Sequence, residues 1–303
     1  DNIQQIKIVV YMNNVLQNMD NTNIYFNSLK RADWLRQIAT IRNEYKKENY
    51  QKQITFVFKD TLSPELFQPI HVVTIACLIE FLVNVEEHTI RISNESIEKL
   101  FFEDLKFREY WNYSKDHVDS ESDNIFNLWR IVENQKDAYA IEVEQYFKKN
   151  FFRGKDLSII SLSIVEAFYN VFDHADANGN AFSFIKYEGQ DEVLRVAICD
   201  FGKGISKSVR NFDSTIISDS DALKKSIEVD FTVGSKVHNK GKGLDNILSC
   251  ADAVRIICNT ARLLKKHEVK IDNIDFDFNG TLIYFELYLG NLEEEEILDE
   301  FDF

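Results

Sequence analysis

The chain has 303 residues, of which 45% are hydrophobic, and 50 acidic against 35 basic residues give it a formal net charge of −15. This length and apolar content suffice for two globular cores and exclude the disordered, collagen-like and low-complexity classes. A negative chain repels phosphate backbones, and no basic face with interleaved aromatic residues is evident, so we expect no nucleic-acid partner.

We expect no membrane or export signal in this sequence, although a chain that opens without Met can have been trimmed. The longest apolar stretch, residues 72–83, is interrupted by Thr74 and Glu80 and is shorter than the roughly 18 residues of a membrane-spanning helix. Residues 1–5 are polar and acidic, unlike the start of a secretory signal. We therefore expect a cytoplasmic protein without membrane contact.

The cysteines agree with a reducing compartment. All four lie in apolar segments without C-x-x-C spacing, which favours buried free thiols over a zinc site: Cys77, Cys199, Cys250 and Cys258.

The first half alternates strand-like and helix-like segments. Apolar, β-branched runs predict strands at 6–12 and 54–58, with a helix-like mixture at 27–47 between them. Two prolines, Pro64 and Pro69, then precede an apolar helix predicted over 70–83.

A short strand at 89–92 and a helix that ends near Leu105 follow. Ser93 or Asn94 could cap this helix, and Glu95 in its first turn favours the helix dipole. These elements predict a small α/β domain.

Residues 113–124, YSKDHVDSESDN, form the strongest composition break in the chain. We place a domain boundary there, with a first domain at 1–118, a second at 119–290 and an acidic tail at 291–303. The tail, EEEE followed by ILDEFDF, is either a solvated terminus or a docking segment for a partner protein.

The second half predicts a largely antiparallel sheet with a few helices, an α+β layer pair. The expected elements are a helix at 157–173, a hairpin of strands 181–187 and 193–200, a helix from 244 to 251, a strand at 254–259, and strands 274–278 and 281–289 joined by a tight turn at Asn279–Gly280.

The first motif lies on the helix SLSIVEAFYNVFDHAD. Glu166, Asn170 and His174 recur at every fourth position, so successive side chains differ by about 40° around the helix axis and share one face. An amide oxygen can ligate Mg²⁺, and a nearby carboxylate can deprotonate a water or hydroxyl nucleophile. The alternative is the polar stripe of an ordinary amphipathic helix.

The second motif, AICDFGKGI, closes a buried strand with Asp200, and Gly202 and Gly204 follow at once. Such an aspartate can accept a hydrogen bond from the amino group of adenine, and glycines let the backbone approach a flat ring. The alternative is an aspartate that caps a strand at a glycine turn.

The third motif, SKVHNKGKGL, places Gly241 and Gly243 directly before a helix that begins near Leu244. Backbone amides at such a helix start can bind phosphates, and three lysines add positive charge: Lys236, Lys240 and Lys242. The alternative is a flexible basic loop, and the spacing is not that of a Walker loop.

In this order, E-x-x-x-N-x-x-x-H, D-x-G-x-G-I, S-K with G-x-G-L, and G-T on a strand, the motifs resemble the GHKL family of ATP-binding domains. That family includes gyrase, a heat-shock chaperone, histidine kinases and MutL. The resemblance covers about residues 141–289 and is greatest to the histidine-kinase and anti-sigma serine-kinase branches.

The resemblance implies a two-layer α/β sandwich of the Bergerat type that binds ATP and Mg²⁺. It implies that Asn170 ligates Mg²⁺, that Glu166 is the general base or orients water, and that Asp200 recognises adenine. A mobile ATP lid would span 206–240. The other residues expected to contact nucleotide are His174, Gly202, Gly204, Ile205, Lys236, Gly241, Lys242, Gly243, Leu244 and Thr281.

The sequence departs from the sensor histidine kinases. No upstream histidine, at 71, 88 or 117, is followed by an acid, and the only His–Glu pair, His267–Glu268, lies downstream. Autophosphorylation on histidine is therefore the less favoured function.

Residues 54–111 resemble in outline the STAS domains of anti-sigma antagonists, although the Ser-Gly pair of that family is missing and Ser63 is only a distant stand-in.

Two functional classes follow. One is an Mg²⁺-dependent ATPase or serine-kinase-like switch whose nucleotide state changes what it binds. The alternative is a non-catalytic, ATP-dependent scaffold. In both, a protein partner would bind the first domain or the acidic tail, and a homodimer is left open.

Overall fold

The structure is a computed structural model that describes residues 8–9, 21–45, 53–174, 181–228 and 243–294. Within these ranges the chain combines a parallel sheet, an antiparallel sheet and helices, which confirms the mixed α+β class. No helix in this part of the chain is long and apolar enough to cross a bilayer.

The first half contributes a four-stranded parallel sheet in the order β1-β4-β3-β2. Its elements are β1 (Ile8–Val9), β2 (Asn21–Phe26), α1 (Arg31–Glu44), β3 (Gln53–Phe58), α2 (Pro69–Glu80), β4 (Thr89–Ser93), α3 (Glu95–Lys99) and α4 (Phe107–Trp111). Within the described residues, the strands and helices predicted between 27 and 105 are present at about the predicted positions, and α2 and α3 each continue into a π-helical turn, Phe81–Val85 and Leu100–Asp104. Asn94 caps α3 by accepting a hydrogen bond from the Ile97 amide at 3.2 Å. Of the strand predicted at 6–12, only Ile8 and Val9 lie within the described residues.

Helix α2 is buried on every side. Eleven of its twelve residues are buried, and only Glu80 is partly exposed. Its sequence is apolar around the whole circumference, as expected for a helix enclosed by protein. The helix packs against two strands of the second half, Ala181–Glu188 and Val193–Asp200, and it shares one hydrophobic core with α1 and with strands β2, β3 and β4 of the first half.

The second half contributes a five-stranded antiparallel sheet in the order β5-β6-β7-β9-β8. Its elements are β5 (Ile125–Ile131), α5 (Lys136–Asn150), α6 (Ser158–Tyr169), β6 (Ala181–Glu188), β7 (Val193–Asp200), α7 (Ile205–Phe212), α8 (Asp219–Ser226), α9 (Gly243–Cys250), β8 (Ala253–Lys265) and β9 (Val269–Tyr288). The predicted β6–β7 hairpin and the helix at 244–251 are confirmed.

Both faces of the antiparallel sheet are covered. On β7, Val196 and Ile198 belong to the core beneath α5–α9, whereas Ala197 and Cys199 belong to the core shared with α1 and α2. This alternation follows from the two-residue period of a strand. The second half by itself is one sheet with helices α5–α9 on one face, and helices α1 and α2 of the first half cover the other face. The predicted two-layer sandwich of the Bergerat type stays a prediction. The domain limits at 118 and 290 stay a prediction.

The predicted tight turn at Asn279–Gly280 is wrong. Strand β9 runs through both residues, and the β8–β9 hairpin turns at 266–268 instead. Cys258 pairs with Thr281 and Asn259 with Phe278, so residues 279 and 280 form a bulge with no partner opposite them. An Asn-Gly pair is suited to a bulge as well as to a turn, because glycine can adopt the positive φ that either one can require.

One further expectation needs correction. Cys77, Cys199 and Cys258 are buried free thiols, but Cys250 is exposed at the end of α9. The start of the acidic tail is exposed at Glu293 and Glu294, and it is attached to the second half by a hydrogen bond from the Asp156 amide to Glu293 O at 3.0 Å. Residues 295–303 lie outside the described residues.

Gly280 provides a test of this fold. Its φ is +136°, and a Cβ there would collide with the backbone of Asp200. We expect Gly280→Ala to lower the free energy of unfolding by about 3 kcal/mol in urea titrations.

The matched control is Gly189→Ala. A Cβ at Gly189 makes only an ordinary 3.7 Å contact with Tyr187, so we expect a change within about 0.5 kcal/mol. Equal effects of the two substitutions would contradict the bulge.

Candidate functional site

Asp200, the last residue of β7, is a buried carboxylate with a raised pKa. It is only 1% exposed, and its Oδ1 accepts a hydrogen bond from the Gly202 amide at 2.6 Å. Burial raises the pKa of Asp200 from 3.8 to about 8, although the Gly202 amide and, to a smaller extent, the adjacent amide and hydroxyl of Thr281 oppose the shift. The second oxygen, Oδ2, is buried and has no hydrogen-bond partner among the described residues.

Thr281 lies directly opposite Asp200 in the β7–β9 pairing. It is fully buried, and its hydroxyl also lacks a partner within the described ranges. Both side chains lie on the sheet face that carries α5–α9, since they continue the alternation of Ile198 and Ile283. Two unpartnered polar atoms on neighbouring residues are costly, and a polar ligand or an ordered water would satisfy them.

The loop after Asp200 is held by a residue that the sequence reasoning missed. Asn259, buried in β8, accepts a hydrogen bond from the Lys207 amide at 3.1 Å and donates to Lys203 O at 3.0 Å. A Cβ at Gly204 would lie 2.5 Å from Asn259 Oδ1, and the φ of Gly204 is +83°. A glycine is thus required at position 204 because the Asn259 side chain lies too close for a Cβ atom, whether or not a ligand is bound. The only sequence signal for Asn259 is an amide within an apolar strand.

Helix α6 presents Glu166 and Asn170. Asn170 is buried, and its Nδ2 donates to Glu166 O at 2.7 Å, which leaves Oδ1 as the atom available to a cation. Glu166 is half-buried and already interacts with another group of the protein.

The helix does not continue as a regular α-helix through His174. Asn170–His174 is a π-helical turn, so the regular α-helix ends at Tyr169. The side chain of His174 lies outside the described residues.

The first part of the predicted lid, residues 206–228, packs against the sheet. Residues of α7 and α8 enter the core, and Ser206 Oγ donates to Asp219 O at 2.9 Å. The Asp219 carboxylate accepts from Arg210 at 2.9 Å and from the Thr260 hydroxyl at 2.7 Å, and these bonds lower its pKa despite burial. Together they connect α7 and α8 to β8, and the movement of this segment as a lid stays a prediction. Residues 229–240 of the predicted lid lie outside the described residues.

The third motif is described only from Gly243 onward, and Lys236, Lys240, Gly241 and Lys242 lie outside the described residues. Gly243 is the first residue of α9, and Leu244 is buried in the core beneath the sheet, as is Ile205. Helix α9 packs against α6, which carries Glu166.

The elements that carry several predicted residues contact one another on the helical face of the sheet. Asp200 and Thr281 are paired, the turn that starts at Asn170 contacts α7 directly after Gly204, and α9 lies against α6. The residues fit Mg-ATP by two criteria: buried acceptors lack partners at Asp200 and Thr281, and an amide oxygen is available at Asn170.

No protein-family model matches the chain, and no curated protein shows significant sequence similarity to it.

The raised pKa of Asp200 gives a stability test. The folded chain keeps this proton up to about pH 8, whereas the unfolded chain releases it near 3.8. Wild type therefore loses stability as pH rises between these values, and neutral Asp200→Asn does not. We expect the advantage of Asp200→Asn in unfolding free energy to grow by roughly 2–4 kcal/mol between pH 5 and pH 8.

Chemical denaturation across this pH range measures the difference, with the exposed Asp191→Asn as the control. A difference between Asp200→Asn and wild type that is independent of pH would show that Asp200 is not held protonated.

Proposed function

We propose that the chain binds Mg-ATP at the helical face of its antiparallel sheet and acts as an ATPase or a serine-kinase-like switch. The proposal rests chiefly on one observation: Asp200 Oδ2 and Thr281 Oγ1 are buried, adjacent and without partners among the described residues.

Adenine is chemically complementary to the Asp200–Thr281 pair. Its exocyclic amine donates a hydrogen bond to a carboxylate oxygen, and Asp200 Oδ2 is an unused acceptor at a buried position. The hydroxyl of Thr281 can donate to a ring nitrogen or accept from the same amine. Adenine binding would give hydrogen bonds to two polar groups that otherwise have none. A base without the matching donor would leave these groups unsatisfied, so the site would discriminate strongly between bases.

Asn170 and Glu166 suit the other end of the nucleotide. Asn170 Oδ1 is a hard oxygen ligand of the kind that Mg²⁺ takes, and the bond from Nδ2 to Glu166 O holds the amide in place. Bound Mg-ATP would supply a phosphoanhydride with an activated γ-phosphoryl group. Glu166, one helical turn from Asn170, would orient and deprotonate the attacking water or hydroxyl. The backbone amides at the start of α9, at Gly243, would add phosphate contacts.

The first half is joined to this site by packing. Helix α2 lies directly against β6 and β7, and Cys77 Sγ donates to Cys199 O at 3.2 Å, one residue before Asp200. A change at the end of β7 on nucleotide binding would therefore reach α2, and we propose that a protein partner on the first half or the acidic tail senses it.

Glu166→Gln tests catalysis separately from binding. We expect unchanged Mg-ATP affinity by calorimetry and a fall in phosphate release of at least a hundredfold, because the amide cannot accept the proton. Glu142→Gln on the neighbouring α5 is the matched control and should leave both values unchanged.

If Glu166→Gln hydrolyses ATP as fast as wild type, Glu166 is not the base. Tight Mg-ATP binding by wild type, with neither phosphate release nor phosphorylated protein, would instead establish the non-catalytic scaffold.

A further inference from the structure

A cavity lies on the face of the antiparallel sheet opposite to that of Asp200 and Thr281. It has a volume of about 560 Å³ and is bounded by the start of α1, by β8 and β9, and by the tip of their hairpin. Arg255 and Tyr284 form its floor and lie on the sheet face turned towards the first half, away from Asp200. This cavity is therefore separate from the proposed nucleotide site.

The cavity is strongly basic within an acidic chain. Five cationic side chains line it against two carboxylates, while the whole chain carries −15. The cations are Arg31, Arg255, Lys265, Lys266 and Lys270, and the carboxylates are Glu268 and Glu286. Like charges repel in such a concave site, so their gathering has a cost that a bound anion would remove.

The two carboxylates do not neutralise the floor of the cavity. Glu286 lies 3.9 Å from Arg31 and 3.5 Å from Arg195, and it also accepts a hydrogen bond from the Tyr284 hydroxyl. Glu268 forms an exposed ion pair with Lys270 at 2.8 Å.

Arg255 is the group left unsatisfied. Its Nε is buried without a hydrogen-bond partner among the described residues. Burial lowers the pKa of Arg255, and the neighbouring Arg31 and Arg262 lower it further; Tyr284 and Glu286 offset only part of this, so the protein compensates this charge incompletely. Such an arrangement weakens the fold and favours an incoming anion.

We propose that this cavity is a second ligand site that binds a small molecule carrying two or more linked phosphates. Guanidinium groups bind phosphate oxygens in bidentate fashion, and the hairpin lysines add point charges around them. The volume lies within the range of small-molecule pockets and is enclosed by two elements of the sheet and one helix. Because Arg31 belongs to α1 and Arg255 to β8, the ligand would bridge the two halves of the chain.

The test uses inorganic pyrophosphate as the probe, in calorimetry on the full chain with EDTA present to suppress Mg²⁺-dependent binding at the nucleotide site. We expect wild type and Asn170→Ala to bind pyrophosphate alike. Arg255→Gln should bind at least tenfold more weakly, without a fall in the melting temperature of the free protein. Arg36→Gln removes a charge from α1 outside this cavity and should bind as wild type does.

If Arg255→Gln does not fold, Lys270→Gln at the exposed rim of the cavity tests the proposal in its place. We expect Lys270→Gln to weaken pyrophosphate binding severalfold. The proposal is overturned if wild type does not bind pyrophosphate or if Arg36→Gln weakens binding as much as Arg255→Gln. It is also overturned if Asn170→Ala abolishes binding while Arg255→Gln preserves it.

Discussion

The pairing of Asp200 with Thr281, where β7 meets β9, is the contact on which the site depends. It places a carboxylate and a hydroxyl side by side in a core from which water is nearly excluded. Burial holds the proton on Asp200, and the fold leaves Oδ2 without a protein partner. A stable globular core rarely keeps such a pair without use, since apolar residues there would stabilise it more.

The surroundings of this pair serve to hold it. Gly280 permits β9 to approach the Asp200 backbone, and the bulge beside it turns Asn259 onto the loop that follows Asp200. Helices α7 and α8 are tied to β8 through Asp219. On the other face, α2 and α1 fill the space that would otherwise expose the sheet to solvent. The end of β7 that carries Asp200 and the first half are thus parts of one packed structure, and under the proposed function a partner on the first half would have a physical route to the site.

The sequence predicts those features that local pattern decides. The apolar run at 70–83, the alternation in 181–200 and the acid at the end of β7 specify α2, the hairpin and a buried Asp200. Strand β2 was not predicted because the first half of its sequence is polar. Its extended conformation is explained by its pairing with β3, which the local sequence does not show. The Asn279–Gly280 turn was wrong because the same dipeptide suits a bulge, and only the register of β8 on β9 distinguishes the two. The roles of Asn259 and Arg255 could not be predicted from the sequence. They depend on tertiary neighbours: the loop after Asp200 in the case of Asn259, and the residues of the basic cavity in the case of Arg255.

The most direct measurement is the number of protons released when Mg-ADP binds, from calorimetry at pH 7 in buffers of different ionisation enthalpy. With the pKa of Asp200 at about 8 in the free protein, an adenine amine that requires the carboxylate should expel this proton. The account predicts that wild type releases close to one proton more than Asp200→Asn does. Equal proton release and equal affinity in the two proteins would contradict it.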